Sequence, residues 1–149
     1  MIDRLPSIAS LLPHSGTMVM PESIEFVDDA RIVCTSSRHR SVDNPLRRAG
    51  RLPVLCGIEF AAQAMALHGA LRRAPPSALR DGRLASVRDV VAGCRFLDEV
   101  AGALVIECRL VAAAAGARSY TFTLKTVNDG GDALLQGRAT VMLAQGKLA

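Results

Sequence analysis

The stretch LPVLCGIEFAAQAMALHGAL, residues 52–71, decides the fold. It is apolar on almost every face, carries polar side chains only at Glu59, Gln63 and His68, and has Pro53 at a position suited to the start of a helix. The run is about as long as a membrane span, but a charge at mid-bilayer is costly and the chain has no second run of this kind. We therefore predict a helix buried in a soluble fold and wrapped by other structure, with no membrane partner.

The sequence ahead of this helix favours a β-hairpin. Residues 18–27 and 30–36 have strand-like composition, and Asp28 and Asp29 between them are turn formers. A short helical lead-in precedes the hairpin and ends near Pro13. A long, polar and basic loop, 37–52, connects the hairpin to the helix.

In the sequence after the helix, apolar and polar residues alternate with period two, which predicts strands. A loop at 74–83 precedes them. The four alternating runs are 90–96, 104–110, 120–125 and 137–143, with turns predicted at 98–99, 115–116 and 128–131. One helix cannot cover both faces of a flat sheet, but a curved antiparallel sheet can wrap one helix. The order therefore predicts an α+β hotdog fold, with a single domain over residues 1–149.

Composition excludes several classes of function. The 149 residues are 50% hydrophobic and 21% charged, which is typical of a globular chain rather than a disordered one. Aromatic residues are only 3%, so rings on which single-stranded nucleic acid could stack are scarce, and a scattered net charge of +4 argues against duplex DNA. The four cysteines form no C-x-x-C pair, and the start of the chain has no long apolar segment. These features predict reduced thiols and a cytoplasmic protein without nucleic-acid partners.

Glu59 is the leading candidate for chemistry. It lies four residues before Gln63, so both side chains share one helix face, and it is surrounded by apolar residues where an unpaired charge is costly. The alternative is a carboxylate tolerated near a helix N-terminus. Gly57 lies two positions earlier and would let a ligand carbonyl approach the helix N–H groups, or would merely serve packing.

The histidines are His14 in LPHSG, His39 between two arginines, and His68 on the helix. As a loop residue after proline, His14 is either a surface residue or a reactive one. We expect His39 to be solvated. We expect His68 to be structural, because nine residues after Glu59 it faces nearly the opposite way.

Arg47, Arg48 and Arg51 lie just before the helix. They form either a solvated basic surface or a docking patch for an acidic carrier protein and the phosphate of its pantetheine arm. No metal-ligand spacing, P-loop or dinucleotide motif occurs, so no cofactor is expected.

Two stretches in the right order resemble the hotdog 3-hydroxyacyl-carrier-protein dehydratases of the FabZ and FabA type. They are LLPHSGTMVM (11–20) and the G-x-E-x-x-x-Q of residues 57–63. The combination with NPLR and GRLPVLCGIEFAAQAM is similar to the divergent ApeP-like branch, which is linked to aryl polyene synthesis. The resemblance implies conversion of 3-hydroxyacyl thioesters on acyl carrier protein to trans-2-enoyl thioesters, in fatty acid or aryl polyene synthesis. It also implies a homodimer, or a heterodimer with another hotdog dehydratase.

The resemblance also assigns residues. Glu59 takes the place of the catalytic carboxylate, Gln63 that of the helix glutamine, and Gly57 that of the glycine whose amide holds the thioester carbonyl. FabZ-type chains carry their histidine in an HFPG motif about fourteen positions before the acid, and here NPLRRAGRLP contains none. The base is therefore assigned to His14, with His39 as an alternative, or the site lacks a base. Two further functions stay open, an acyl thioesterase and a non-catalytic partner of an active dehydratase.

Overall fold

A six-stranded antiparallel sheet in the order β1-β2-β4-β5-β6-β3 curves around one long helix. The computed structural model describes residues 5–77, 82–127 and 132–143. The strands are β1 Ser23–Val27, β2 Arg31–Ser36, β3 Gly82–Ala92, β4 Leu104–Ala114, β5 Ala117–Thr126 and β6 Leu135–Leu143, and the helices are α1 Ile8–Leu11 and α2 Gly57–Leu71. The predicted layout, a curved sheet around a central helix, is confirmed.

Helix α2 forms the centre of the hydrophobic core. Its inner residues Phe60, Ala64 and Leu67 are fully buried against the sheet. Burying a side chain such as Phe60 contributes about 1.5–3 kcal/mol, so this face anchors the helix strongly. The segment Val54–Leu71 passes the length and composition test for a membrane span, yet 61% of it is buried within the protein. That burial is the pattern of a core helix.

The hairpin predicted ahead of the central helix and the turn predicted at 115–116 are both present. Asp28 closes the β1–β2 turn, because its Oδ1 atom accepts hydrogen bonds of 2.8 Å from the N–H groups of Ala30 and Arg31. The β4–β5 turn uses Ala115 and Gly116, and Gly116 has a φ of +77°, a conformation that glycine adopts without strain. The turn predicted at 128–131 lies outside the described residues.

The start of α2 and the end of β3 differ from the prediction, and one contact explains both. A 3₁₀ turn, Val54–Cys56, precedes the helix, and the Val54 N–H donates to the Arg95 carbonyl at 2.9 Å. Pro53 and Phe96 form an isolated bridge. The alternation predicted through residue 96 therefore ends as a strand at Ala92, because the following residues tie down the entry to α2 instead.

Strand β3 lies at one edge of the sheet and pairs only with β6. It begins at Gly82, inside the segment 74–83 predicted as loop. Most of its residues are exposed, including Leu84 and Val91. An edge strand presents unpaired N–H and C=O groups to a neighbour. This open edge borders the site described next.

Candidate active site

His14 and Glu59 meet although 45 positions separate them in the sequence. The His14 Nε2 and Glu59 Oε1 atoms are 3.0 Å apart, and the two side chains are 28% and 32% exposed. His14 follows Leu11 and Leu12, which are buried and hold this segment against the core. Glu59 lies in the first turn of α2. The His14 Nδ1 atom is buried and has no hydrogen-bond partner in the described part of the chain. The two side chains thus contact each other and remain accessible to a ligand.

Gln63 fixes this pair in place. The side chain is only 1% exposed, and its Oε1 atom accepts a 2.8 Å hydrogen bond from the Met20 N–H. Its Nε2 atom donates to the Met18 carbonyl at 2.8 Å and to the Glu59 Oε1 atom at 2.9 Å. Because the carboxamide is satisfied on both sides, it holds the segment after His14 against α2 and orients the Glu59 carboxylate.

A cavity of about 180 Å³ runs from this pair along α2. Apolar side chains and two arginines line it besides the pair. Its walls are Pro13, His14, Glu59, Ala62, Met65, Ala66, Gly82, Arg83, Leu84, Arg118, Tyr120, Val141 and Leu143. The cavity thus lies between the helix and the sheet edge formed by β6 and β3. An apolar slot that carries an acid–base pair at one end suits an acyl group.

Gly57 lies outside the lining of this cavity. A Cβ atom at this position would lie 2.8 Å from the Leu124 side chain and 2.9 Å from that of Leu135, so tight packing against the core accounts for the glycine. Its N–H points to the carbonyl oxygens of Val54 and Leu55. A role for Gly57 in binding a thioester carbonyl stays a prediction.

His39 is fully buried, so the expectation that it is solvated is wrong. Its Nε2 atom lies 3.1 Å from the Val100 carbonyl, and burial lowers the pKa of its imidazole. The 3₁₀ turn Arg38–Arg40 packs against the one at Leu97–Glu99, which is why two flanking arginines did not keep the ring in solvent. His39 does not line the described cavity.

His68 has the structural role expected of it. Its Nε2 atom donates to the Asp28 carbonyl at 2.8 Å, because a carbonyl can only accept, and its Nδ1 atom therefore accepts from the Tyr120 hydroxyl at 2.8 Å. Burial lowers the pKa of His68 and raises that of Tyr120 to about 12, so both stay neutral at pH 7. The hydrogen bond joins α2 to β5 beside the cavity.

Two of the three arginines of the predicted docking patch have local partners. Arg51 pairs with Asp98 at 2.9 Å and with Glu99, and Arg47 donates to the carbonyls of Ser41 and Gly50 at 2.8 and 2.6 Å. Arg48 is exposed, and its Nη1 atom has a longer contact of 3.3 Å with a neighbouring carbonyl. Arg48 is thus the most available of the three for a partner. Docking of a carrier here stays a prediction.

Sequence reasoning missed the residues that the sheet contributes to the cavity, namely Arg118, Tyr120 and the start of β3. The alternation in β5 indicates that both side chains face the helix, but a single sequence does not show which strand end borders the site. All four cysteines are free. In the described residues no group of three or more His, Cys, Asp or Glu side chains could hold a metal ion.

Comparison with solved structures defines the class of protein. The dehydratase heterocomplex ApeI:P from Xenorhabdus doucetiae matches with a TM-score of 0.81 and 23% identity, over 94% of this chain and 92% of that one. Zebrafish thioesterase superfamily member 2 matches with a TM-score of 0.57 and 13% identity, over 81% and 80%. A hypothetical thioesterase from Streptococcus pneumoniae, crystallised with coenzyme A, matches with a TM-score of 0.55 and 16% identity, over 81% and 84%. The protein has the hotdog fold, as predicted.

The family follows from the sequence itself. The model of the ApeP-like family, described as ApeP dehydratase, matches residues 6–148, and the chain belongs to that family. No curated protein matches the sequence. The resemblance inferred from the LPH and G-x-E-x-x-x-Q stretches is therefore confirmed at the level of the family.

Proposed function

We propose that the protein removes water from 3-hydroxyacyl thioesters carried on an acyl carrier protein and yields trans-2-enoyl thioesters. The observation that carries this proposal is the 3.0 Å contact between His14 Nε2 and Glu59 Oε1 at one end of an apolar cavity. Dehydration needs a base for the C2 proton and an acid for the departing hydroxyl, both within reach of adjacent carbons. This pair supplies both groups.

In this mechanism His14 takes the C2 proton through Nε2, and Glu59 donates a proton to the C3 hydroxyl. The C2–H electrons form the double bond while the C3–O bond breaks and water leaves. His14 then carries the extra proton and Glu59 has lost one. The 3.0 Å contact returns the proton from His14 to Glu59 and resets the site. Gln63 keeps Glu59 in position throughout. Gly57 is the proposed donor to the thioester oxygen, and to act as one its N–H has to turn away from the carbonyls of Val54 and Leu55.

The partners in this proposal are an acyl carrier protein and a second hotdog subunit, in the cytoplasm. The exposed edge strand β3 borders the cavity, and a neighbouring subunit placed there would cover it. The structural match to a dehydratase heterocomplex supports another hotdog dehydratase as that subunit, with a homodimer as the alternative. Arg48 is the proposed contact for the carrier or for the phosphate of its arm.

The test measures water loss from a 3-hydroxyacyl carrier protein by intact mass spectrometry, with the chain alone and mixed with a second hotdog dehydratase. Wild type should produce the lighter enoyl species, while Glu59→Gln should not, with an unchanged circular dichroism spectrum. His14→Ala should also be inactive. Wild-type turnover by Glu59→Gln would refute the assignment. Activity that appears only on mixing, and still appears with Glu59→Gln, would indicate a non-catalytic partner subunit.

A thioesterase is the second candidate, because several proteins of the same fold are thioesterases and a helix carboxylate can also activate water. Release of free thiol from acyl carrier protein, measured with a thiol reagent, distinguishes the two. The dehydratase proposal predicts water loss with the thioester intact.

A further inference from the structure

Arg118 lines the cavity, but the proposed reaction assigns no role to it. In β5 it pairs with Val141 of β6, and Val141 pairs with Leu84 of β3. Residues directly opposite one another in antiparallel strands share a face, so these three side chains form a row. All three line the cavity. The row lies at the sheet edge, away from the first turn of α2 that carries Glu59.

One buried nitrogen of the Arg118 guanidinium has no hydrogen-bond acceptor in the described part of the chain. Its Nη1 atom is buried, and no hydrogen bond to it exists within residues 5–77, 82–127 and 132–143. Leaving a buried donor of a charged group unsatisfied is costly, so such groups are normally paired. Tyr120 also lines the cavity, but its hydroxyl is hydrogen-bonded to His68, and no hydrogen bond joins it to Arg118 Nη1.

The charge around Arg118 is also unbalanced. Glu59 is the single carboxylate among the described residues that line the cavity, and it pairs with His14. Arg83 is the other arginine of the lining, so the lining offers Arg118 no anionic partner within the described residues. The cavity thus holds an acid–base pair at the Glu59 end, and an Arg118 guanidinium that has no carboxylate partner in the described part of the chain.

The distance between Glu59 and Arg118 indicates which part of a substrate would contact Arg118. Arg118 lies two residues before Tyr120 in β5, so both side chains lie on the same face of the sheet and Arg118 is close to the Tyr120–His68 hydrogen bond. His68 lies nine residues after Glu59, about 13 Å along a helix that rises 1.5 Å per residue. A carrier's phosphate is separated from the thioester by the whole pantetheine arm, which is longer than this span. With the reacting carbons at Glu59, Arg118 thus faces the far end of the acyl chain.

We propose that Arg118 is a specificity-determining residue that selects acyl chains whose far end bears an oxygen acceptor, best a carboxylate. This inference rests on the proposed function, because it takes Glu59 as the position of the thioester end. The acceptor would receive a hydrogen bond from the unpartnered Nη1 atom, and the positive charge of Arg118 would favour an anion. A methyl end would leave the guanidinium unpaired.

The test measures binding, so that it does not require turnover. Non-reactive amide analogues of acyl pantetheine are prepared in a series of chain lengths, each ending in a carboxylate or in a methyl group, and titrated by calorimetry. The wild type should bind the carboxylate form roughly 10- to 100-fold more tightly at the length that spans Glu59 to Arg118. Arg118→Met should abolish or reverse that preference. Arg138→Met is the matched control, because Arg138 lies in β6 outside the described lining of the cavity. This variant should retain the preference for the carboxylate end.

Three results would overturn the inference. They are equal binding of the two end groups by wild type, a carboxylate preference that is the same at every length, and a preference that survives in Arg118→Met. If the carboxylate preference survives in Arg118→Met and that variant also changes its oligomeric state, Arg118 belongs to a subunit interface instead. Water loss from 3-hydroxyacyl carrier proteins with a carboxylate end and with a methyl end, each compared with Glu59→Gln, tests the proposed function separately, since absence of water loss from both would count against that function whatever the binding preference.

Discussion

Replacing Gln63 with leucine tests how the site is held together. The substitution keeps the size of the side chain but removes three hydrogen bonds, of 2.8, 2.8 and 2.9 Å, to Met20, Met18 and Glu59. The Met20 N–H and the Met18 carbonyl then lose their partner inside the protein. An unsatisfied buried polar group costs about 1–3 kcal/mol, so we expect a loss of about 2–4 kcal/mol in the free energy of unfolding.

Urea denaturation followed by circular dichroism measures this loss. With the slope usual for a small domain, the midpoint should fall by roughly 1–2 M. Gln136→Leu is the matched control, because Gln136 is exposed in β6 and its substitution should change stability by less than about 0.5 kcal/mol. A Gln63→Leu protein as stable as Gln136→Leu would refute the claim that the carboxamide clamps the segment after His14 to α2.

Three further predictions concern other parts of the chain. Gly57→Ala should destabilise by about 1–3 kcal/mol in thermal unfolding, since a Cβ would lie 2.8 Å from Leu124 and 2.9 Å from Leu135; an unchanged or raised midpoint would contradict this. Because burial lowers the pKa of His68 below 6.5, the unfolded chain takes up the proton first, so stability should fall as the pH drops below 6.5. His68 should contribute at most about 1.4 kcal/mol per pH unit to this slope, and His39, whose pKa burial also lowers, adds its own contribution. The slope should therefore be flatter in His68→Gln but not zero, and an equal slope in the variant would contradict the assignment. Arg48→Glu should weaken carrier binding in a pull-down without lowering stability, and unchanged binding would remove the proposed docking contact.

Local patterns predicted the central helix and the strands β4, β5 and β6 because each has a short-range cause, whereas the bounds of β3 were wrong. The alternation at 120–125 lies within β5, and the apolar run at 52–71 contains the core helix α2. The spacing of Glu59 and Gln63 placed both on one helix face, and their side chains are hydrogen-bonded at 2.9 Å. Such features depend on neighbours within a few residues, which a single sequence shows directly.

The remaining features depend on contacts between distant segments. Nothing near His14 indicates that it meets Glu59, and its assignment came from a resemblance to a family rather than from its neighbours. His39 is buried because one 3₁₀ turn packs against another, although arginines flank it in the sequence. Arg118 lies outside the alternating run 120–125, and the pairing of β5, β6 and β3 places it in the cavity.

The most direct test of the central claim is a double-mutant cycle on the rate of water loss from a 3-hydroxyacyl carrier protein, with His14→Ala, Glu59→Gln and the double variant. If the two side chains act as one acid–base unit, each single variant should lose roughly 10²- to 10⁴-fold and the double variant little more. A His14→Ala protein that retains the wild-type rate, or losses that simply multiply in the double variant, would contradict the account.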